Sequence, residues 1–479
     1  MSLSFTSLEF FVFLGLCLIL LRTIANPAGQ KWLLIILSYL LYLSFGLVGV
    51  GVLTSIALVD FTVGRRLGKS STAFARKRLL WISLSVNLGA LVFFKYYVFL
   101  GETVASIVRP VGIHLPVPSG LLLPIGLSYF TFASMSYVLD IYYERLEPTQ
   151  YFSDYIWYLV YFPKLVAGPI VRAVELLPQF KRGIQFSAED FETGGAYLLV
   201  GAVKKLVIAD QLSSHVGMIL SAPEHYNAFT LVQGMLGYTV QIYADFSGYS
   251  DMAIGCARLM GIRFPQNFLM PYSSVNIAEF WRRWHVTLSS WFRDYVFLPL
   301  ELGSRGIQNA EIRASRNIVT TMLLCGLWHG ASWNFVLWGG LHGVALAIYQ
   351  VYATRRSRKL RAASPSFPLL RMLASRVLTL SVVMFGWIFF GTPTLSIAFR
   401  YILRLVTWSS DGVALGSPYI LPLTALVFLA HLLIGKNRNV VEELASLSMP
   451  ARVFAYSSLL VLITSLVPSD TAPFVYLHF

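Results

Sequence analysis

Long apolar runs recur along the whole chain, each ended by a short polar segment or by glycine and proline. A helix needs roughly 20 mainly apolar residues to cross about 30 Å of hydrocarbon. Runs that approach this length fall near 6–22, 32–46, 49–64, 79–100, 119–142 and 152–171. They continue near 192–220, 228–261, 316–327, 333–353, 374–391, 416–434 and 451–467. The stretch 32–64 is too long for one upright helix, so GLVGVG at 46–51 predicts a break between two. The opening MSLSFTSLEFFVFLGLCLIL lacks the basic head of a cleavable signal and predicts a retained first helix. The polar stretches around 172–191 and 301–315 are too short for a soluble domain. The pattern predicts an all-α integral membrane protein with about 11–13 membrane helices, folded as one membrane domain over residues 1–479.

Composition agrees with this pattern. The chain is 56% hydrophobic and 13% charged, whereas a soluble domain carries about 25% charged residues. The formal net charge of +14 raises the question of nucleic acid, but the basic residues gather in short loops between apolar spans. Arg65, Arg66, Lys69, Arg76, Lys77 and Arg78 fill one loop. Arg355, Arg356, Arg358, Lys359 and Arg361 fill a second, and Lys436 and Arg438 mark a third. Such clusters mark cytoplasmic loops in contact with lipid, and no nucleic-acid partner is implied. Counting spans outward from these loops places both termini on the extracytoplasmic side. Cys17, Cys256 and Cys325 are far apart and lack metal-ligand spacing, so neither a disulfide framework nor a metal site is expected.

Candidate chemistry concentrates in residues 241–300, where Asp245, Asp251, Arg258, Arg263, Glu279, Arg282, Arg283, His285, Arg293 and Asp294 lie among aromatics. Ionisable groups at membrane depth are costly and mark a site or a water-filled path by default. Read as one helix, 277–295 puts Trp281, His285 and Ser289 on a single face, with Glu279 in reach of Arg282 and Arg283. The prolines of RFPQNFLMPY before it favour a re-entrant or interfacial helix. His285 is then either a hydrogen-bonded structural histidine or part of a site. CGLWHGASWNF at 325–335 sets His329 between Trp328 and Gly330, under thin glycine cover and about one turn from Asn334. A titratable ring in so apolar a setting points to function. His114, His215, His225, His342 and His431 stand apart and read as structural.

DFSGYSDMAIG (245–255), RFPQNFLMPY (263–272), EFWRRWHVTLSSWFRDY (279–295) and GLWHGASWNFVLWGGLHG (326–343) together resemble the membrane-bound O-acyltransferases. The bacterial alginate O-acetyltransferase branch, related to the protein that D-alanylates lipoteichoic acid, is the most similar. The resemblance covers a core of about 120–350, followed by helices over 374–467 and a tail at 468–479. It implies a multi-helix bundle around a transmembrane tunnel in a bacterial inner membrane. It also implies that His329 is the family's core histidine and His285 its second.

The donor would be a cytosolic thioester, acetyl-CoA, used as a substrate with no bound cofactor. Histidine titrates near neutrality, as a general base should. His329 would take the acceptor's hydroxyl proton, His285 would orient or polarise, and Asn334 would donate to the oxyanion. Arg282 and Arg283 are candidates for donor phosphates, or else for lipid headgroups or Glu279. Trp281, Trp328, Asp251 and Asn267, inside or beside the motifs, are expected to line the donor or substrate site.

The ending TAPFVYLHF matches an F-x-Y-x-x-F pattern through Phe474, Tyr476 and Phe479. Tyr476 reads either as an acyl relay, since a phenol (pKa near 10) deprotonates more readily than an alcohol, or as an interfacial anchor. The chain has no G-x-S-x-G elbow and no domain to grip a polymer. Final transfer is therefore expected from an extracytoplasmic serine esterase-like partner, onto alginate, cellulose or another exopolysaccharide. Peptidoglycan or teichoic-acid acylation by the same chemistry is the alternative, and a polysaccharide or lipid-linked sugar transporter is the alternative of another class. The absence of an internal repeat disfavours the transporter.

Overall fold

The computed structural model describes residues 5–117, 123–304, 306, 309–359, 368–435, 440–468 and 474. Among them every regular element is helical, and one isolated bridge, Tyr226 to Val413, is the exception. The chain is an all-α membrane protein. Among the described residues five helical stretches are long and apolar enough to cross a bilayer: Leu47–Lys69, Ala73–Val111, Trp333–Arg356, Leu369–Gly391 and Met449–Leu466, with Ile420–Ile434 a shorter apolar helix. Large apolar side chains stay outward, Phe454 at 75% and Leu433 at 74% exposure, as a surface facing lipid requires. The basic residues Lys436 and Arg438 lie outside the described residues.

Local sequence explains where these helices begin. Asn26 caps Pro27–Leu43 by accepting from the Ala28 amide at 2.9 Å, and Pro27 occupies the first turn, where its missing N–H costs nothing. Gly46 then takes φ +121°, a conformation that favours glycine, and Leu47–Lys69 starts after it. The break predicted at 46–51 falls here. Two expected spans differ. Residues 152–171 form a short helix Phe152–Val160 and a 3-10 turn Phe162–Lys164. The range 192–220 is interrupted by a π-helical stretch at Val203–Ala209.

The described chain divides into two compact units, Met1–Leu198 with Ser250–Pro265, and Leu199–Tyr249 with Gln266–Phe479. In the first, Asp60 is fully buried and accepts from Ser134 Oγ at 2.5 Å and Asn87 Nδ2 at 2.7 Å, which ties three helices together. Both bonds converge on Oδ2, and hydrogen bonding of this kind is what holds a polar centre in an apolar interior. The second unit holds an analogous ionic pin. Lys205 Nζ lies 2.8 Å from Asp210 and 2.7 Å from Asp245, with all three side chains almost wholly buried.

The second unit is also organised by a helical hairpin, Ala310–His329 and Trp333–Lys359. Its two helices touch backbone to backbone. A Cβ on Gly339 would lie 2.3 Å from the Met322 carbonyl oxygen, and one on Gly326 would lie 2.1 Å from that of Phe335. Small residues at such a crossing let membrane helices approach closely. The hairpin carries His329 at its turn.

Candidate active site

His329 is the last residue of its helix, and Gly330 caps it in extended conformation. A side chain on Gly330 would collide with the Phe335 ring at 2.0 Å, so the glycine lets that ring close over the turn. The imidazole is 2% exposed. Trp328 and Trp338 each stand 5.0 Å from it, centroid to centroid, and Phe390 stands 5.3 Å away. Such a wall excludes bulk water, which strengthens any proton transfer or charge stabilisation inside it.

His285 reaches the same aromatic wall from another element. The single helix expected over 277–295 is interrupted, with helices at Ile277–Trp281 and Val286–Phe292 separated at His285. His285 itself is left-handed, with φ +44°. The cause is Asn267, whose backbone oxygen accepts the Val286 amide at 2.9 Å. Its side-chain Oδ1 accepts from Thr287 Oγ1 at 2.9 Å and from the Thr287 amide at 3.4 Å. His285 Nδ1 lies 3.0 Å from the same oxygen. An oxygen that accepts a backbone N–H obliges Nδ1 to carry a proton, so the neutral ring keeps its lone pair on Nε2. That nitrogen is buried without a hydrogen-bond partner among the described residues. Phe246 packs edge-on at 4.7 Å, and Trp328 lies 6.2 Å from His285 while also touching His329.

Other residues singled out in the sequence have different work. Asn334 Nδ2 donates to the carbonyls of Phe389 at 3.1 Å and Thr392 at 2.9 Å. Its amide protons latch the end of Pro368–Gly391 and are not free to serve an oxyanion. Arg283 is buried, pairs with Glu279 at 3.0 Å and donates to the Leu269 carbonyl at 3.1 Å, so it stitches the preceding loop and does not await phosphate. Arg282 is exposed. Trp281 packs against Trp338 and His342 at 5.6 and 5.3 Å. Asn267 positions His285. Asp251 is buried in the first unit. Tyr476 and Phe479 lie outside the described residues.

Two features were not foreseen. His342 is fully buried, 5.0 Å from Trp338, with neither ring nitrogen hydrogen-bonded among the described residues. Its spacing of eight from Asn334 and four from Trp338 was the available signal. The other is Phe474 of the tail. It is 4% exposed, stacks on Tyr249 at 4.3 Å, and meets Phe246 at 5.8 Å.

A helical membrane protein that buries His285, His329 and His342 along one aromatic wall has the features of a site that holds a reacting group away from water. Residues 144–391 match the model of the membrane-bound O-acyltransferase family, and the chain belongs to that family. It is 36% identical to the "Probable alginate O-acetylase AlgI" of Azotobacter vinelandii, over 81% of this chain and 75% of the relative. It is 30% identical to the peptidoglycan O-acetyltransferase of Helicobacter pylori, over 81% and 76%. It is 28% identical to the teichoic acid D-alanyltransferase of Bacillus subtilis, over 62% and 78%. The protein is an O-acyltransferase, which sets the transporter alternative aside.

Proposed function

We propose that this enzyme moves an acetyl group from cytosolic acetyl-CoA across a bacterial inner membrane, for O-acetylation of an extracytoplasmic polysaccharide. His329 acts as general base in a passage open to the donor on one side and the acceptor on the other. The acceptor oxygen attacks the thioester carbon as its proton passes to His329. The C–S bond breaks, and the departing coenzyme A thiolate takes that proton back from the imidazolium. His285, with Nδ1 held by Asn267, presents Nε2 as a second hydrogen-bond acceptor that orients the acceptor hydroxyl.

The first acceptor is the phenol of Tyr476, and the acetyl ester it forms passes to a serine esterase-like partner. The observation that carries this is the seat of Phe474 on Tyr249 and Phe246, because Phe246 also packs on His285. Two residues of extended chain span at most about 7 Å, a reach that suits a tyrosine relay at position 476. The identities to alginate and peptidoglycan O-acetylating relatives support a polymer acceptor, with alginate-type exopolysaccharide favoured and cell-wall glycan second.

The test uses the full-length protein in membranes with radiolabelled acetyl-CoA. His329→Ala should lower label transfer by about 10²–10⁴-fold while the protein remains folded. Tyr476→Phe, without the attacking oxygen, should lose both thioester cleavage and the acetyl ester that mass spectrometry detects on the tail of the unmodified chain. Undiminished polymer acetylation by Tyr476→Phe would end the relay, and undiminished cleavage by His329→Ala would end its role as base.

A further inference from the structure

A cavity of about 840 Å³ opens between Trp333–Lys359 and Pro368–Gly391, with walls that include Ile348, Val351, Tyr352, Arg355, Arg356 and Arg371. About 20–30 Å of helix separates it from His329, so it is a distinct place from the proposed active site. Its charges are unbalanced. Arg355 is paired with Glu311 at 3.1 Å. Arg356 Nη1 and Arg371 Nη2 both donate to one neutral oxygen, Tyr352 Oη, at 2.7 and 3.2 Å. Two guanidiniums brought to the same phenol repel each other, and a phenol offers no charge to offset that.

Position and exposure say what completes the cluster. Ile348 is 65% exposed and Tyr352 52%, so the cavity opens on the outer face of the helices, where a membrane span meets lipid. The arginines stand at the end of the apolar span Trp333–Arg356 and near the start of Leu369–Gly391, the positions at which spanning helices meet headgroups. Ile348 lies about two turns deeper along the same helix.

We propose that this cavity binds an anionic phospholipid, its phosphate held between Arg356 and Arg371 and an acyl chain lying along Val351 and Ile348. A basic pocket between membrane helices suits such a headgroup, and guanidinium forks match phosphate oxygens. Lipid is favoured over free phosphate because the apolar wall continues directly below the charges.

Native mass spectrometry of the full-length protein with added phosphatidylglycerol, phosphatidylcholine, sn-glycerol 3-phosphate or coenzyme A tests this. Phosphatidylglycerol should remain bound where phosphatidylcholine is lost. The double substitution Arg356→Gln with Arg371→Gln should weaken it about thirty-fold, from about 1 kcal/mol per basic residue. Arg356→Lys with Arg371→Lys should stay close to the unmodified protein, and equal thermal unfolding of all three guards against misfolding. Equal lipid retention by the Gln pair would overturn the site. So would glycerol 3-phosphate binding as tightly as the lipid, which means a free-phosphate site, or displacement of lipid by coenzyme A, which means a donor entrance.

Discussion

At the scale of the residue, His285 shows how a side chain is held ready. A left-handed non-glycine residue costs roughly 1–2 kcal/mol, and this one persists because Asn267 accepts from the ring, from the Thr287 hydroxyl and from two backbone amides. Remove that acceptor and buried donors are left unmade, each worth about 1–3 kcal/mol. Asn267→Leu should therefore lower the unfolding midpoint and, with the ring free to turn, cut the transfer rate about tenfold at unchanged donor KM. Thr287→Val, which removes one donor and leaves Asn267 in place, should do much less. Equal rates in the two variants would mean that Asn267 does not position His285.

At the scale of the element, the hairpin and the buried ionic pin each set a sharp expectation. Gly339→Ala would force a Cβ to within 2.3 Å of the Met322 carbonyl, so the helices must part, whereas Gly340→Ala would meet only a Leu323 methyl at 3.4 Å. Gly339→Ala should cost about 1–3 kcal/mol of stability and displace His329, while Gly340→Ala stays near neutral; equal unfolding midpoints would show that the hairpin tolerates separation. Lys205→Met leaves Asp210 and Asp245 buried without their cation and should destabilise by about 3–5 kcal/mol. Adding Asp210→Asn and Asp245→Asn should recover most of that loss, and failure to recover would place the lysine's contribution outside this pair. Helix positions were largely legible in the sequence because hydropathy and caps act locally, as at Asn26 and Gly46. The break at His285 was not, because hydrogen bonds accepted by Asn267, eighteen residues earlier, impose it. Lys205 escaped notice because nothing local says that Asp245, from another helix, joins the nearby Asp210 in pairing with it.

At the scale of the whole molecule, the hydropathy pattern gave the membrane class and the four motifs gave the family, while the use of individual polar groups had to await the structure. Asn334 and Arg283 show why: a residue type that suits an oxyanion or a phosphate also suits a helix end or a neighbouring carboxylate, and only distance decides. The tail is where the largest-scale expectation lies. Phe474 is far in sequence from Phe246 and Tyr249 yet buried against both. An enzyme that must join a cytosolic donor to an external acceptor gains from a tethered acceptor, since tethering replaces a bimolecular encounter with a local one. Phe474→Ala removes the tether's anchor without touching either histidine. Under the proposed relay, acetyl ester on Tyr476 and thioester cleavage should fall together, at least about tenfold, as the loss of 1.4 kcal/mol of a buried aromatic's contact would give, while the unfolding midpoint stays nearly unchanged. Phe474→Leu, still apolar, should recover part of the ester. If ester formation were the same in all three proteins, the tail would be a passenger, and the acceptor would have to enter the site on its own.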